Sequence, residues 1–461
     1  MIATVPQSAF LVWLNLTLAL VVALLGLGLG FYQGLAAQVV ILATIGSFAA
    51  LFWVLNYVAT MFESRRTSEA AGEAGRPGSK SVGAGSIWAA NRALIVAMAL
   101  LLLAYLIVSA SAPAFRTIGN LIAFLLLELI LVFAFTVSRR FAHARSAFIG
   151  LIVLFALIVI SSFTIGGFLS GANIKAILLF ASFLGIACVG QTLVALLGGL
   201  DLSIPYVIGA SNIGMLYLIG LGAPSFIALA ATIVVAIAFG FINGVLTYRL
   251  QGQALILTLG TGFALAGLVQ ILTSIGSSFS GNVFGAVPDW LRNIAAMNGE
   301  FFGLAVPPTI LLWIVVAIIV IVGLRYSAYG RQIYALGGNR RSAKLIGVSE
   351  FRYWTICYAI SGGFASLAGC LLLGWSGGGF IGVGNPYLFT TLAAVVIGGT
   401  SLLGGQGGYG FTVIGVLVLQ VLTAFLIGIG LKYEWQQFIF GLLILPMVAL
   451  YGRSPHIRSL V

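Results

Sequence analysis

The stretch Ile310–Gly323 reads ILLWIVVAIIVIVG, apolar on every side and without a charge. A strand of a membrane barrel alternates polar and apolar residues, so a run of this kind suits a helix set among lipid or other apolar side chains. Similar runs, 93–108 among them, recur along all 461 residues, and a helix needs roughly 20 apolar residues to cross a bilayer. The composition agrees, with 61% hydrophobic and only 7% charged residues, against ~25% charged in soluble domains. The chain reads as an all-α, polytopic membrane helix bundle.

Working outward from that run, the spans fall at 9–31, 37–62, 93–110, 118–137, 147–166, 174–197, 203–222, 224–248, 253–274, 308–325, 354–374, 387–404, 409–430 and 435–452. That is about fourteen transmembrane helices, four before residue 145 and ten after it. The glycine-rich pieces have the option of crossing only half the membrane. The net charge of +12 does not point to nucleic acid, because Lys and Arg sit in short loops between spans. Arg65, Arg66, Arg76, Lys80, Arg92, Arg139, Arg140, Arg145, Arg249, the Arg325–Arg352 cluster, Arg453 and Arg458 all fall on one side under this count. The opposite loops carry Arg116, Lys175, Arg292 and Lys432. The positive-inside rule makes the richer side cytoplasmic, with both termini there. No Lys or Arg precedes the first apolar run, so no cleaved secretory signal is expected. Residues 63–87, small, polar and broken by glycine and proline, read as a mobile cytoplasmic linker. They lie within an N-terminal extension over 1–145, ahead of a core over 146–453 and a cytoplasmic tail over 454–461.

No residue pattern supports catalysis. Cys188, Cys357 and Cys370 lack metal-ligand spacing, and no cofactor or metal is expected. The loop Gly404–Gly410 has neither the lysine nor the preceding strand of a phosphate-binding loop, and Gly78–Ser81 fails the spacing. Ser376 stands in a bare G-x-S-x-G pattern, but the histidines, His143 and His456, fall on the opposite side under the span count.

Asp201 is the one acid between Glu128 and Asp289. A charge at the bilayer centre costs ~2.5–3.5 kcal/mol on insertion scales, which makes such an acid a functional candidate. Its neighbours equally fit a structural cap, with Gly198-Gly199 as a turn, Ser203 assisting and Pro205 in the first turn of the next helix. The element Leu196–Leu202 returns in outline as Val396–Leu402, where Gly398-Gly399 is followed by Thr400 and Ser401. Interrupted segments repeated in two halves point to a transporter and its central site.

Two further segments carry alternatives. In Arg331–Arg352, Asn339 would cap a short helix and Gly347 would stop it; this is either a surface gripped by a peripheral partner or an orientation-setting basic loop. Trp375, Phe380, Asn385, Tyr387 and Phe389 suit a polar ligand with apolar faces, such as a sugar, or an interfacial aromatic belt.

Three stretches together resemble the ribose-type sugar permease family, within the branched-chain amino acid and ribose permeases of ATP-binding cassette importers. They are Gly199–Ser203; Ala335–Asn339 with Ala343, Gly347 and Val348; and Ala393–Gly405. The resemblance covers roughly 146–453. It implies a permease core of ten helices that moves a monosaccharide or polyol by alternating access. It also implies a second permease copy, two cytoplasmic ATPase subunits and an extracytoplasmic binding protein, in a bacterial inner membrane. Gly338, Asn339, Ala343, Lys344 and Gly347 would form the ATPase-coupling segment. Gly198, Gly199, Asp201, Ser203, Gly398, Gly399, Thr400, Ser401, Gly404 and Gly405 would form the family's signature loops. Proton coupling through Asp201 then becomes unnecessary, and Asp201 is expected to shape a helix break. The chain departs from the family at Arg340-Arg341 and at Asn385–Thr391, where acidic residues are common in relatives. Nucleoside or amino acid import, and ion-coupled secondary transport, are the alternatives.

Overall fold

Proline marks where many of these helices begin. Pro205, Pro224, Pro288, Pro308 and Pro386 each stand at or beside a first helical residue, where the missing amide hydrogen costs nothing. The computed structural model describes residues 145–250, 254–274, 281–300 and 306–441. All lie within the second of the two units into which the chain divides, Ser138–Val461. The four spans expected before 145, the linker 63–87, the part of span 435–452 beyond 441 and the tail 454–461 fall outside the described residues.

The helices are α1 (Arg145–Thr164), α2 (Gly171–Leu196), α3 (Ile204–Gly220), α4 (Ser225–Arg249), α5 (Ala254–Ser274), α6 (Asp289–Ala295) and α7 (Pro308–Tyr326). After them come α8 (Ala328–Gly338), α9 (Arg340–Leu345), α10 (Glu350–Ser376), α11 (Tyr387–Gly398) and α12 (Tyr409–Gly428). Among the described residues seven segments are long and apolar enough to cross a membrane, one of them Ile381–Gly398, which joins a 3-10 turn to α11, and α3 is a shorter apolar helix. This is an all-α polytopic bundle. The one sheet among the described residues is a two-residue ribbon in which β1 (Asn282–Val283) pairs antiparallel with β2 (Gly379–Phe380).

α2 is the central post. Buried residues make up 89% of its most apolar window, against 17% for α5, so α5 keeps an apolar outer face and α2 is enclosed over that window. α10 packs against α2, α3 and α4; α11 and α12 pair and close on α2 from another side, and α7 from a third. Lipid is as apolar as leucine, so such helices associate through close packing and buried polar bonds rather than through hydrophobic collapse. The α4–α10 crossing shows this directly. Gly240 and Gly244, in a G-x-x-x-G spacing, meet Tyr358 and Thr355 of α10, while Gly362 rests against the Ala236 carbonyl and the Gly240 Cα. Buried polar bonds tie the other faces: Thr192 Oγ1 lies 2.9 Å from Thr412 Oγ1, and Tyr409 donates to the Gly185 carbonyl at 2.6 Å.

One expected span needs correction. The segment 387–404 does not continue as helix to 404; α11 stops at Gly398, and Gly399 caps it with a left-handed φ of 98°. At 12 residues, or roughly 18 Å, α11 falls short of the ~30 Å hydrocarbon core. The chain reaches its start by a non-helical route. From β2 it descends through a 3-10 turn, Ile381–Gly384, along α3, with Gly209 against the Ile381 carbonyl and Gly384 against that of Pro205. A second difference lies in Arg331–Arg352, which holds two helices, α8 and α9, rather than one.

Replacing Gly362 by valine forces a side chain into backbone that cannot retreat, an overpacking cost of about 1–3 kcal/mol. We expect the detergent-purified Gly362→Val chain to melt several degrees lower by size-exclusion thermostability, with Gly214→Ala, whose added methyl meets nothing within 4 Å, as the unchanged control. An unaltered midpoint for Gly362→Val would refute the crossing.

Candidate functional site

α2 and α11 end in the same way. Gly198 donates to the Ala195 carbonyl at 2.8 Å and Gly199 to that of Val194 at 3.0 Å; Gly399 and Thr400 donate to Val396 and Val395 at 2.9 and 3.0 Å. Both are Schellman closures around a glycine with positive φ, 78° at Gly198 and 98° at Gly399. The structural counterpart of Gly198 is therefore Gly399, one residue out of step with the glycine-pair alignment read from sequence. Thr400 matches Gly199, and its buried hydroxyl accepts from the Gly408 amide at 3.2 Å. Ser401 donates its amide to the Gln406 carbonyl at 3.0 Å and accepts from the Leu403 amide on its hydroxyl at 3.2 Å. The loop thus turns back toward α12.

The three stretches noted in the sequence meet at one end of the bundle. Leu196 leaves a last-turn carbonyl without an intrahelical donor, and the Gly405 amide donates to it at 2.9 Å. Gly337, near the end of α8, lies flat on this bond; a Cβ there would strike the Leu196 carbonyl and the Gly405 amide. Gly404, at φ 91°, closes the group, since a Cβ would come 2.9 Å from the Gly337 carbonyl and 3.0 Å from the Gly198 amide. Tyr334 of α8 donates to the Gly407 carbonyl at 2.9 Å. Backbone touches backbone here, and glycine alone permits it.

Beyond Gly199 the chain turns back into the bundle. Tyr358 donates to the Leu200 carbonyl at 2.9 Å, and the Leu202 amide donates to Thr258 Oγ1 at 3.0 Å. Asp201 is 2% exposed and accepts three hydrogen bonds. Oδ1 takes the Ser203 amide at 3.0 Å and its hydroxyl at 2.6 Å; Oδ2 takes the Ser361 hydroxyl at 2.7 Å. Asn243 of α4 then donates to Ser203 Oγ at 3.0 Å. The carboxylate closes a turn two residues long and fastens it to α10; it does not cap the second or third amide of α3. Ser361 is 11 positions past Glu350, so this contact lies roughly 16 Å into the bundle along α10. The separation from the chain's other interior charges leaves hydroxyl donors to do what a counter-ion does elsewhere.

α9 is the outward element of this end. Asn339 caps it, its side chain accepting from the Ser342 amide at 3.0 Å, and Ala343 is its buried residue. Leu345 and Ile346 are 84% and 74% exposed, and Gly347 turns the chain at φ 81° toward α10. The buried Glu350 carboxylate holds Lys344 Nζ at 2.7 Å and Arg340 Nη1 at 3.3 Å. The Glu350 hydrogen bond raises the Lys344 ammonium above its usual range. Gly338, the last residue of α8, has nothing within 4 Å of where a Cβ would stand.

The aromatic residues collect at the other end of α10. Trp375 packs edge-on against Phe180 at 5.0 Å and stays exposed, as do Phe380, Asn385 and Phe389, whereas Tyr387 is half-buried against the core. The Phe380 amide donates to the fully buried Asn212 at 3.0 Å. Ser376 donates to the Gly378 carbonyl at 2.8 Å, roughly 22 Å along α10 from the residue that meets Asp201. Sequence reasoning missed Ser361, Asn243, Tyr358, Arg340 and Glu350 as parts of the first end. Their long-range partners give no local spacing to detect, although Glu350, an acid in a basic stretch, offered a signal.

A family model described as the branched-chain amino acid transport system, permease component, matches residues 173–448. The fructose import permease protein FruG of Bifidobacterium longum is 31% identical over 65% of this chain and 88% of its own length. The ribose import permease protein RbsC of Haemophilus influenzae is 31% identical over 67% of this chain and 93% of its own. The fructose import permease protein FrcC of Rhizobium meliloti is 30% identical over 68% and 87%. No solved structure matches the chain. A family model spanning more than half of the sequence, over the same residues that build this glycine-joined end, shows that the chain belongs to the permease family of branched-chain amino acid transport systems.

Proposed function

We propose that the chain is the membrane permease subunit of an ATP-binding cassette importer and moves a monosaccharide or related polyol by alternating access. The observation that carries this reading is the meeting of α2, α8 and α11 through backbone at one end of the bundle, directly beside the exposed α9. That end carries the basic cluster and is taken as cytoplasmic. The named sugars of FruG, RbsC and FrcC support the solute class. The family description keeps an amino acid as the second reading of the solute.

In this reading ATP is hydrolysed on separate cytoplasmic subunits, one of which docks on the coupling segment around α9 that holds Gly338, Asn339, Ala343, Lys344 and Gly347. A second permease copy completes the pathway, and an extracytoplasmic binding protein delivers the solute to the opposite end. Trp375, Phe380, Asn385, Tyr387 and Phe389 offer aromatic faces and an amide to a sugar there. Each partner favours one conformation over the other, which is what lets ATP and solute drive the switch in turn. Residues 1–145 form an N-terminal extension to the permease core, and both termini face the cytoplasm of a bacterial inner membrane. An ion-coupled mechanism would need Asp201 to exchange its partners, yet three donors already occupy it.

Proteoliposomes holding the chain, its ATPase and its binding protein should take up radiolabelled fructose or ribose only with ATP inside and the ATPase present. Uptake by the chain alone under an ion gradient, lost in Asp201→Asn, would overturn the importer. In the complete system Asp201→Asn should keep uptake within a few-fold, because an amide oxygen still accepts both Ser203 donors, while Asp201→Leu should lower it more than tenfold. Gly347→Pro sets φ near −65° where the chain needs 81° and removes the amide that donates to the Lys344 carbonyl at 3.0 Å. That variant should insert and run monodisperse, yet lose uptake more than tenfold; normal transport would remove α9 from the docking role.

A further inference from the structure

Arg340 opens α9 at a position where the resembling family favours an acid, and it makes three contacts at once. Nη1 lies 3.3 Å from Glu350 Oε1, Nη2 donates to the Leu197 carbonyl at 3.2 Å, and Cζ lies 4.8 Å from the centre of the Trp354 ring. Trp354 in turn donates to Thr247 of α4 at 2.9 Å. Glu350 does not need Arg340 for neutralisation, since Lys344 binds its other oxygen at 2.7 Å. The distinctive contact is the one to Leu197. That residue is the C-cap of α2, its carbonyl lies past the last helical bond, and the chain from it runs straight through Gly198 and Gly199 to Asp201. Beside this contact is a cavity of about 250 Å³, lined by Gly198, Leu200, Thr247, Arg340, Glu350 and Trp354 among others.

We propose that Arg340 is a positioning residue that carries displacement of α9 to the α2–α3 break, so that movement at the bundle's end is transmitted to the Asp201 turn roughly 16 Å inside. This rests on the reading of α9 as the ATPase-docking element. A planar guanidinium can bond a carboxylate and a carbonyl together while stacking on an indole; a lysine ammonium is a point charge on a flexible stem and cannot hold all three. The link thus depends on fork geometry and not on charge alone.

The test uses the full chain in nanodiscs, alone and with its ATPase and binding protein. In the chain alone, Arg340→Gln and Arg340→Lys should both raise hydrogen exchange of the 197–203 amides at least fivefold, with 235–245 unchanged. In the complex both should bind ATPase within twofold of the unaltered chain, yet hydrolyse at least fivefold more ATP per molecule of fructose or ribose taken up. Unchanged exchange at 197–203, an unchanged ratio, or full rescue by lysine would each overturn the proposal. Loss of ATPase binding with an unaltered ratio would overturn it too, by making Arg340 a docking contact. The docking reading is tested separately by Leu345→Asp with Ile346→Asp: if ATPase still binds, that reading fails, while the exchange result on the chain alone still decides the link.

Discussion

A helix that stops inside a membrane protein leaves carbonyls that no water can satisfy, and this constraint shapes the whole described bundle. α2 stops at Leu196, and four polar groups released over the next residues are met from different quarters. Gly405 takes the Leu196 carbonyl, Arg340 that of Leu197, Tyr358 that of Leu200, and Thr258 the Leu202 amide. The end of α8 and the loop after α11 must come within backbone distance of α2 to do so, which is why glycines stand at Gly337 and Gly404. The break at α2 is thus not a local feature; it is a junction that four other elements are needed to complete.

The rest of the fold serves to hold that junction against a rigid frame. α10 runs beside it for 27 residues, fastened to α4 by small residues and to the Asp201 turn by Ser361. The half-length α11 and the 3-10 descent from β2 put a second non-helical stretch against α3, with Gly384 on the Pro205 carbonyl. Two breaks in neighbouring elements, both packed against α3 or α10, suit a bundle that changes shape at its centre while its outer helices stay whole. Asp201 holds three donors in this arrangement, while the Asn243 side-chain oxygen beside the turn is buried without a partner among the described residues. Opening it would expose a carboxylate and two serine hydroxyls together, so the turn favours remaining closed until something outside it moves.

Much of this was legible from residues, and the parts that were not share a cause. Spans such as 224–248 and 308–325 coincide closely with α4 and α7, because a run apolar on every side has one solution in a bilayer. The span 387–404 ran on past α11 because hydropathy does not register a left-handed glycine at 399. α8 was overlooked because its polar and aromatic residues resemble a basic loop, although Ser327 accepts from the Gly330 amide at its start. The paired glycine breaks were recognised, but aligned on the glycine pair they fell one residue out of register, since hydrogen bonding and not identity defines the closure.

The sequence by itself determined that this is a polytopic helical membrane protein, where long helices such as α4 and α7 fall to within a few residues, and which glycine-rich stretches matter. Those follow from hydropathy and from glycine's backbone freedom, both of which act locally. Only the tertiary structure decided that the three stretches are one site, that Asp201 is held by Ser203 and Ser361, and that Arg340 reaches the end of α2. Those contacts join residues from 2 to 160 positions apart. The distant ones depend on how α8, α9, α10 and α11 come to lie beside α2, which is a matter of close packing among whole helices, and no spacing within a single segment encodes it.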